Sequence, residues 1–318
     1  MTPENILQVS PGPHLWRGVS TRKIMLAVTA ALMFPTAAAI YYFGYYAIIA
    51  IATSVITSVL TEYVVKKLRG RPYINDGSAV VTGLLLALTL PPTINPWMVA
   101  IGAVFAIAIV KEAFGGLGHN IFNPALGGRA FLVSSFGVKM TTWVLPMNFA
   151  VDAVTTATPL SERFVFSWRL AARLALYKDM FLGNIGGSLG ETSALAIIIG
   201  GILLIVFRII DWRIPLTYLG TVAVFSLALG DDPIFHLLAG GLMLGAFFMA
   251  TDYVTSPITP KGRIIFGIGC GVVTAAIRAF GGLPEGVCYS ILLMNAVTPL
   301  IDRYILTKPF GLVKVAKS

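Results

Sequence analysis

The chain has 318 residues, 57% of them hydrophobic and only 12% charged, with a mean hydropathy of +0.84. That composition excludes an ordinary soluble domain and fits an integral membrane protein in a lipid bilayer. The excess of 23 Lys and Arg over 14 Asp and Glu does not point to nucleic acid, because the bases form short clusters between apolar runs: Arg22 and Lys23, Lys66 to Arg71, Arg208 and Arg213, Lys261 and Arg263, Arg303 and Lys308. This is the pattern of cytoplasmic loops.

Taken in chain order, the apolar runs predict membrane helices at 24–43, 45–65, 78–90, 97–112, 121–136, 191–210, 214–229, 233–250, 262–280 and 285–305. A helix needs roughly 20 apolar residues to cross the hydrocarbon core, fewer where protein shields it. The first run is long and lacks a small-residue cleavage site, so it is expected to remain as an anchor. An all-α polytopic fold of ten crossings follows, with the amino terminus inside and every one of these basic clusters on the cytoplasmic side. Five domains are expected: a cytoplasmic tail at 1–21, a membrane repeat at 22–136, an extracytoplasmic segment at 137–190, a second repeat at 191–306 and a cytoplasmic tail at 307–318. The outer segment carries Arg163, Arg169, Arg173 and Lys178 against this orientation, although long loops follow the charge rule poorly. Around Phe164, Trp168, Leu170 and Leu174 apolar residues recur at helical spacing, which predicts a helix on the outer membrane surface.

The two halves echo one another. "GLLLAL" at Gly83 precedes a Pro-rich break and then "AFGGLG" at Ala113; "GLMLGA" at Gly241 precedes "SPITP" and then "AFGGLP" at Ala279. Five spans on each side of the outer segment make this an inverted repeat, and such folds put their working site between the halves, at interrupted helices. The run 78–90, ended by Leu90, Pro91 and Pro92, is the best interrupted helix, with "ATDYVTSPITP" as its counterpart.

Asn120 and Asn123 lie three apart beside Pro124, so a helical start puts both amides on one face. They serve either as a polar cap or as donors and acceptors for the edge of a heteroaromatic ligand. Glu62, Glu112, Asp252 and Glu285 are ionisable groups at or near membrane depth, where a charge needs a partner or a function. Glu112 beside Lys111 reads as a solvated pair at the cytoplasmic edge. Asp252 stands near Thr251, Thr255 and Ser256, an oxygen-rich setting for a hard cation, and joins Glu62 as an ion-path residue. Arg129 and Arg278 lie inside apolar runs, placed to neutralise these carboxylates or to face a ligand. Cys270 and Cys288 read as packing residues, and His14, His119 and His236 are scattered without metal-ligand spacing. The sequence contains no Walker-type loop, and no nucleophile, His and acid can be assembled from it.

In "VDAVTTATPLS", residues 151–161, a carboxylate and several hydroxyls crowd together. This stretch resembles the covalent-flavin site of the RnfD/NqrB family of membrane subunits. The resemblance extends in order through "SPGPHLWRGVSTRKIM", "NDGSAVVTGLLLALTLPP", "FGGLGHNIFNPALGGRAFL", "ATDYVTSP" and "GGLPEGVCYSILLMNAVTPLID". It implies FMN joined through its phosphate to Thr158, with Thr155 and Thr156 donating to the phosphate and Asp152 serving a separate flavin transferase. Ala153 and Thr156 depart from the residues frequent in the pattern. The resemblance also implies a noncovalent riboflavin at Asn120 and Asn123 and a urea-transporter-like fold in a bacterial or archaeal cytoplasmic membrane. The function it implies is that of one member of an Rnf-type ferredoxin:NAD oxidoreductase complex, working with the other Rnf subunits and moving Na+ or H+. The short amino-terminal segment favours the Rnf D type. A quinone-reductase B type and a urea-transporter-like channel without a redox role remain the alternatives.

Overall fold

Gly44 takes φ 57 and ψ −133, a backbone conformation closed to other residues, in the middle of α1 (Thr21–Leu68). Met25 nevertheless packs against Gly77, while Glu62 and Ser78 hold the same Lys111. A straight helix would separate Met25 from Glu62 by about 55 Å. The chain therefore reverses at Gly44, and α1 is the antiparallel pair expected from runs 24–43 and 45–65. The computed structural model describes residues 20–72, 76–146, 155–156, 160, 170–281 and 286–305, and these are mostly helical.

α2 (Ser78–Leu88) has 11 residues, about 16 Å of helix and half of a hydrocarbon core. It stops at Thr89, before Pro91 and Pro92, as the sequence predicts for an interrupted helix. An end inside the membrane leaves carbonyls without water, so other parts of the chain must supply donors. Leu88 O accepts from Gly190 N at 2.7 Å, Leu90 O from Leu189 N at 3.0 Å, and Thr89 O from the Arg129 guanidinium at 2.7 Å.

α3 (Pro96–Val104) starts with Pro at its first turn and widens into a π-helical segment, Phe105–Glu112. α4 (Pro124–Ser135) is capped by Asn123, and α5 (Gly137–Met140) is a single turn. β1 (Trp143–Val144) pairs antiparallel with β2 (Thr155–Thr156), Trp143 opposite Thr156. α6 (Leu170–Leu182) lies within the segment expected to hold a surface helix; Tyr42 donates to Leu182 O at 2.9 Å. The buried loop 185–193 leads into α7 (Ala194–Val206), followed by α8 (Arg213–Ala228) and α9 (Pro233–Leu238). α10 (Leu242–Leu244) runs into a second π-helical segment, Gly245–Met249, and α11 (Pro260–Phe280) and α12 (Val287–Tyr304) complete the order.

The run 233–250, expected as one span, is broken. Gly240 and Gly241 take φ 72 and 65, so the helix cannot pass through them. Arg278 donates to the carbonyls of His236 and Ala239 at 2.7 and 2.9 Å, as Arg129 does at the end of α2.

Among the described residues α1 and α11 are long and apolar enough to cross a membrane, and α2, α7 and α8 are shorter apolar helices. Small residues let neighbours approach closely. A methyl added at Gly83 would stand 2.8 Å from Val55 Cα in α1, and one at Gly271 would stand 2.5 Å from Thr221 Cβ in α8. Large apolar side chains cover the outside, among them Leu26, Ile56, Leu216 and Phe280. Water would penalise that surface and hydrocarbon does not.

Candidate functional site

Where the second arm of α1 ends, α2 begins and the first π-helix closes, charged side chains are buried together. Glu62 is 2% exposed, and its Oε1 accepts from Lys66 Nζ at 2.9 Å and Lys111 Nζ at 2.8 Å. Lys111, 1% exposed, also donates to Ser78 Oγ at 2.6 Å, and Ser78 donates to Asp76 Oδ1. Arg69 and Arg71 clamp the chain beyond by donating to the carbonyls of Glu112 and Gly115. Glu112 is buried as well, and its Oε1 has no hydrogen-bond partner. The expected solvated Lys111–Glu112 pair is therefore corrected: the ammonium turns to Glu62, and the π-helical turn carries both side chains inward.

A cleft of about 730 Å³, open solvent at its mouth included, adjoins this cluster. Its wall includes Met25 of α1, Leu85 of α2, Lys111, Asn120, Phe247 and Asp252. Three sequence-predicted residues meet here. Asn123 Oδ1 accepts from Ala125 N and Leu126 N as the cap of α4, and its Nδ2 donates to Met249 O at 3.1 Å. The cap reading is thus correct for Asn123. Asn120 precedes the helix instead of sharing a helical face with Asn123. Its Nδ2 donates to Phe122 O, while its buried Oδ1 has no partner. Asp252 accepts from Thr255 Oγ1 at 3.3 Å and Val254 N at 3.4 Å, so the expected Thr255 contact is present. Asn295 of α12, with its amide turned to satisfy both ends, accepts from Asn123 N and donates to Thr255 O. It ties the start of α4 to the Asp252 turn.

Glu62 lies in the neighbouring cluster, joined to the cleft through Lys111. Sequence reasoning placed Lys111 only in a solvated pair with Glu112, and it passed over Asn295, which carried no signal beyond a polar residue in an apolar run. Arg129 and Arg278 serve carbonyls at helix breaks. Cys270 and Cys288 are buried free thiols. Thr155 and Thr156 are described only as backbone of β2. Asp152, Thr158 and Glu285 lie outside the described residues.

The chain is 50% identical to the D subunit of the proton-translocating ferredoxin:NAD(+) oxidoreductase complex of Clostridium ljungdahlii, over 97% of each chain. It is 50% identical to the D subunit of the Na(+)-translocating ferredoxin:NAD(+) oxidoreductase complex of Acetobacterium woodii, over 98% of this chain and 97% of that one. To the D subunit of the ion-translocating oxidoreductase complex of Stutzerimonas stutzeri it is 43% identical, over 92% of each. The model of the NQR2, RnfD, RnfE family matches residues 8–311, and the chain belongs to that family.

Proposed function

We propose that this chain is the D subunit of an Rnf-type ion-translocating ferredoxin:NAD oxidoreductase complex and relays electrons through flavin while Na+ or H+ is moved. The observation that carries the reading is the similarity over 97% of the chain to a member of such a complex. It acts with the other Rnf subunits in a bacterial or archaeal cytoplasmic membrane, with both termini inside and ten crossings in two inverted five-helix repeats of urea-transporter-like form. Support for the repeat comes from matching caps. Gly77 and Gly241 both start their helices from a left-handed φ, and Gly77 precedes Pro96, at the first turn of α3, by as many residues as Gly241 precedes Pro260 in α11.

The residues of the cleft suit a flavin ring. Asn120 Oδ1 is an acceptor that the protein leaves unsatisfied, matched to an imide N–H. Phe247 and Phe248 give apolar wall, and Lys111 gives positive charge. Riboflavin is assigned here, held by Asn120, with Asn123 shaping the wall more than bonding the ligand. FMN is assigned to Thr158 through a phosphoester, with Thr155 and Thr156 donating to the phosphate and Asp152 engaging the flavin transferase. When bound, flavin supplies electron transfer in steps of one or two. The chain holds the ring, keeps water from it, and sets nearby charge. Glu62 and Asp252 are the proposed ion-path carboxylates, since a buried carboxylate is costly unless it serves a charge.

The test is mass spectrometry of the chain purified with its complex after coexpression with the transferase. The intact mass should carry one FMN, the modified peptide should place it on Thr158, and Thr158→Ala should lose it along with in-gel fluorescence. FMN on Thr155 or Thr156, or none, sinks the attachment. Noncovalent flavin released on denaturation tests the cleft separately.

A further inference from the structure

Among the described residues, Lys111 is the one cationic side chain in the cleft wall and Asp252 the one acidic side chain. The same ammonium lies 2.8 Å from Glu62 Oε1 and 2.6 Å from Ser78 Oγ, two contacts for three protons. Glu62 and the cleft thus share one buried cation, and Glu62 keeps a second partner in Lys66 when Lys111 is drawn away. The charged groups facing this pair are Lys66 from α1, Asp76 ahead of α2, Glu112 at the end of the first π-helix, and Asp252 across the cleft.

We infer that Lys111 links charge in the cleft to cation binding at Glu62. Negative charge entering the cleft draws the ammonium from Glu62, and Glu62 takes up a monovalent cation, Na+ or H+, in its place. The inference rests on the reading of the cleft as a flavin site. It balances simply: one electron enters the cleft from a low-potential donor and one monovalent cation arrives at Glu62, Na+ without any covalent change, or H+ released by water to form the carboxyl O–H bond. Linkage is reciprocal, so cation at Glu62 makes the cleft easier to charge. The midpoint potential of the cleft flavin should then rise with cation concentration, by at most about 59 mV per tenfold for one electron.

The experiment is a dithionite titration of the noncovalent flavin in the purified whole complex, followed by absorbance. Na+ is varied at fixed pH in one arm and pH at fixed Na+ in the other; since flavin takes up protons itself on reduction, the pH arm is read as the difference from Glu62→Gln, and the two arms together identify the cation. In the wild type one arm shifts the potential. Lys111→Met should lose most of this dependence, and Lys111→Arg should restore most of it. A merely structural lysine would leave the dependence unchanged in a complex that still binds flavin, and that result overturns the inference. If Lys111→Met does not assemble, Ser78→Ala keeps every charge and loses the hydroxyl that anchors Lys111 and bonds Asp76; dependence identical to wild type there overturns it equally. A wild-type complex that releases no noncovalent flavin overturns the cleft reading itself. Bound flavin whose potential keeps the full wild-type cation dependence in Lys111→Met overturns only the role of Lys111.

Discussion

Asn120 and Asn123 have the same side chain on one wall and differ in what their amide oxygens bond. Asn123 spends both ends within the protein, on the cap of α4 and on Met249 O. Asn123→Ala should therefore cost stability, about 1 kcal/mol for the cap alone, and lower the thermal midpoint of the purified complex. Asn120 Oδ1 satisfies nothing in the protein. Asn120→Ala should leave the thermal midpoint nearly unchanged while flavin affinity in the cleft falls about tenfold, the loss of roughly 1.4 kcal/mol of hydrogen bonding. Flavin content after denaturation and a melting curve separate the two variants; a reversed pattern would exchange their roles. The sequence marks both residues as polar groups in an apolar chain, and a three-residue spacing invites treating them as equals. What separates them is where the helix starts: with α4 beginning at Pro124, Asn123 is the cap and Asn120 is outside.

At the scale of elements, the working parts are breaks and their donors. Arg129→Leu would strip the Thr89 carbonyl of its guanidinium at a buried helix end, a loss on the order of 1–3 kcal/mol that detergent melting would register. Beyond α7, Asp211 accepts from Arg213 and from Arg263 of α11 at 2.9 and 2.7 Å, fastening one hairpin to the next. Burial pushes the Asp211 carboxyl upward, but bonds from the Arg213 amide and both guanidinium groups outweigh it and hold the group below the usual carboxylate range. A depressed folded value contributes stability above the unfolded value, near 3.9, and loses it as pH falls through the folded value. Asp211→Asn should thus melt earlier at neutral pH, by roughly 1 kcal/mol, with the gap closing in acid; a gap that persists in acid would refute the ion-pair account. The first break was legible because Pro91 and Pro92 announce it. The second was not, since Gly240 and Gly241 in an apolar run look like part of a span until their left-handed φ is seen. The inward turn of Lys111 and Glu112 was hidden for a similar reason: a π-helical turn leaves no plain mark in composition.

Across the whole molecule the helix ends sort into two groups. Ile24, Ser78, Lys111, Asn120, Ile210 and Asp252 meet around one cleft. These come from ends that alternation of the predicted spans assigns to a single side. Elsewhere Tyr42 bonds Leu182 O, and Arg173 bonds Asp232 at 2.6 Å, joining ends assigned to the opposite side. Which side faces the cytoplasm rests on the basic residues Lys66, Lys67, Arg69 and Arg71, at the cleft end of the molecule. Single cysteines decide it. Leu68 is 82% exposed at that end, so Leu68→Cys accepts a label without disturbing a packed core. Ser161, outside the described residues, reports on the segment that carries the proposed flavin attachment. With the cleft end inside, a membrane-impermeant maleimide added to intact cells should label Ser161→Cys and spare Leu68→Cys until the membrane is opened. The opposite pattern would invert the molecule and put the cleft outside; labelling of both in sealed cells would contradict the three spans predicted between them and with them the proposed ten crossings.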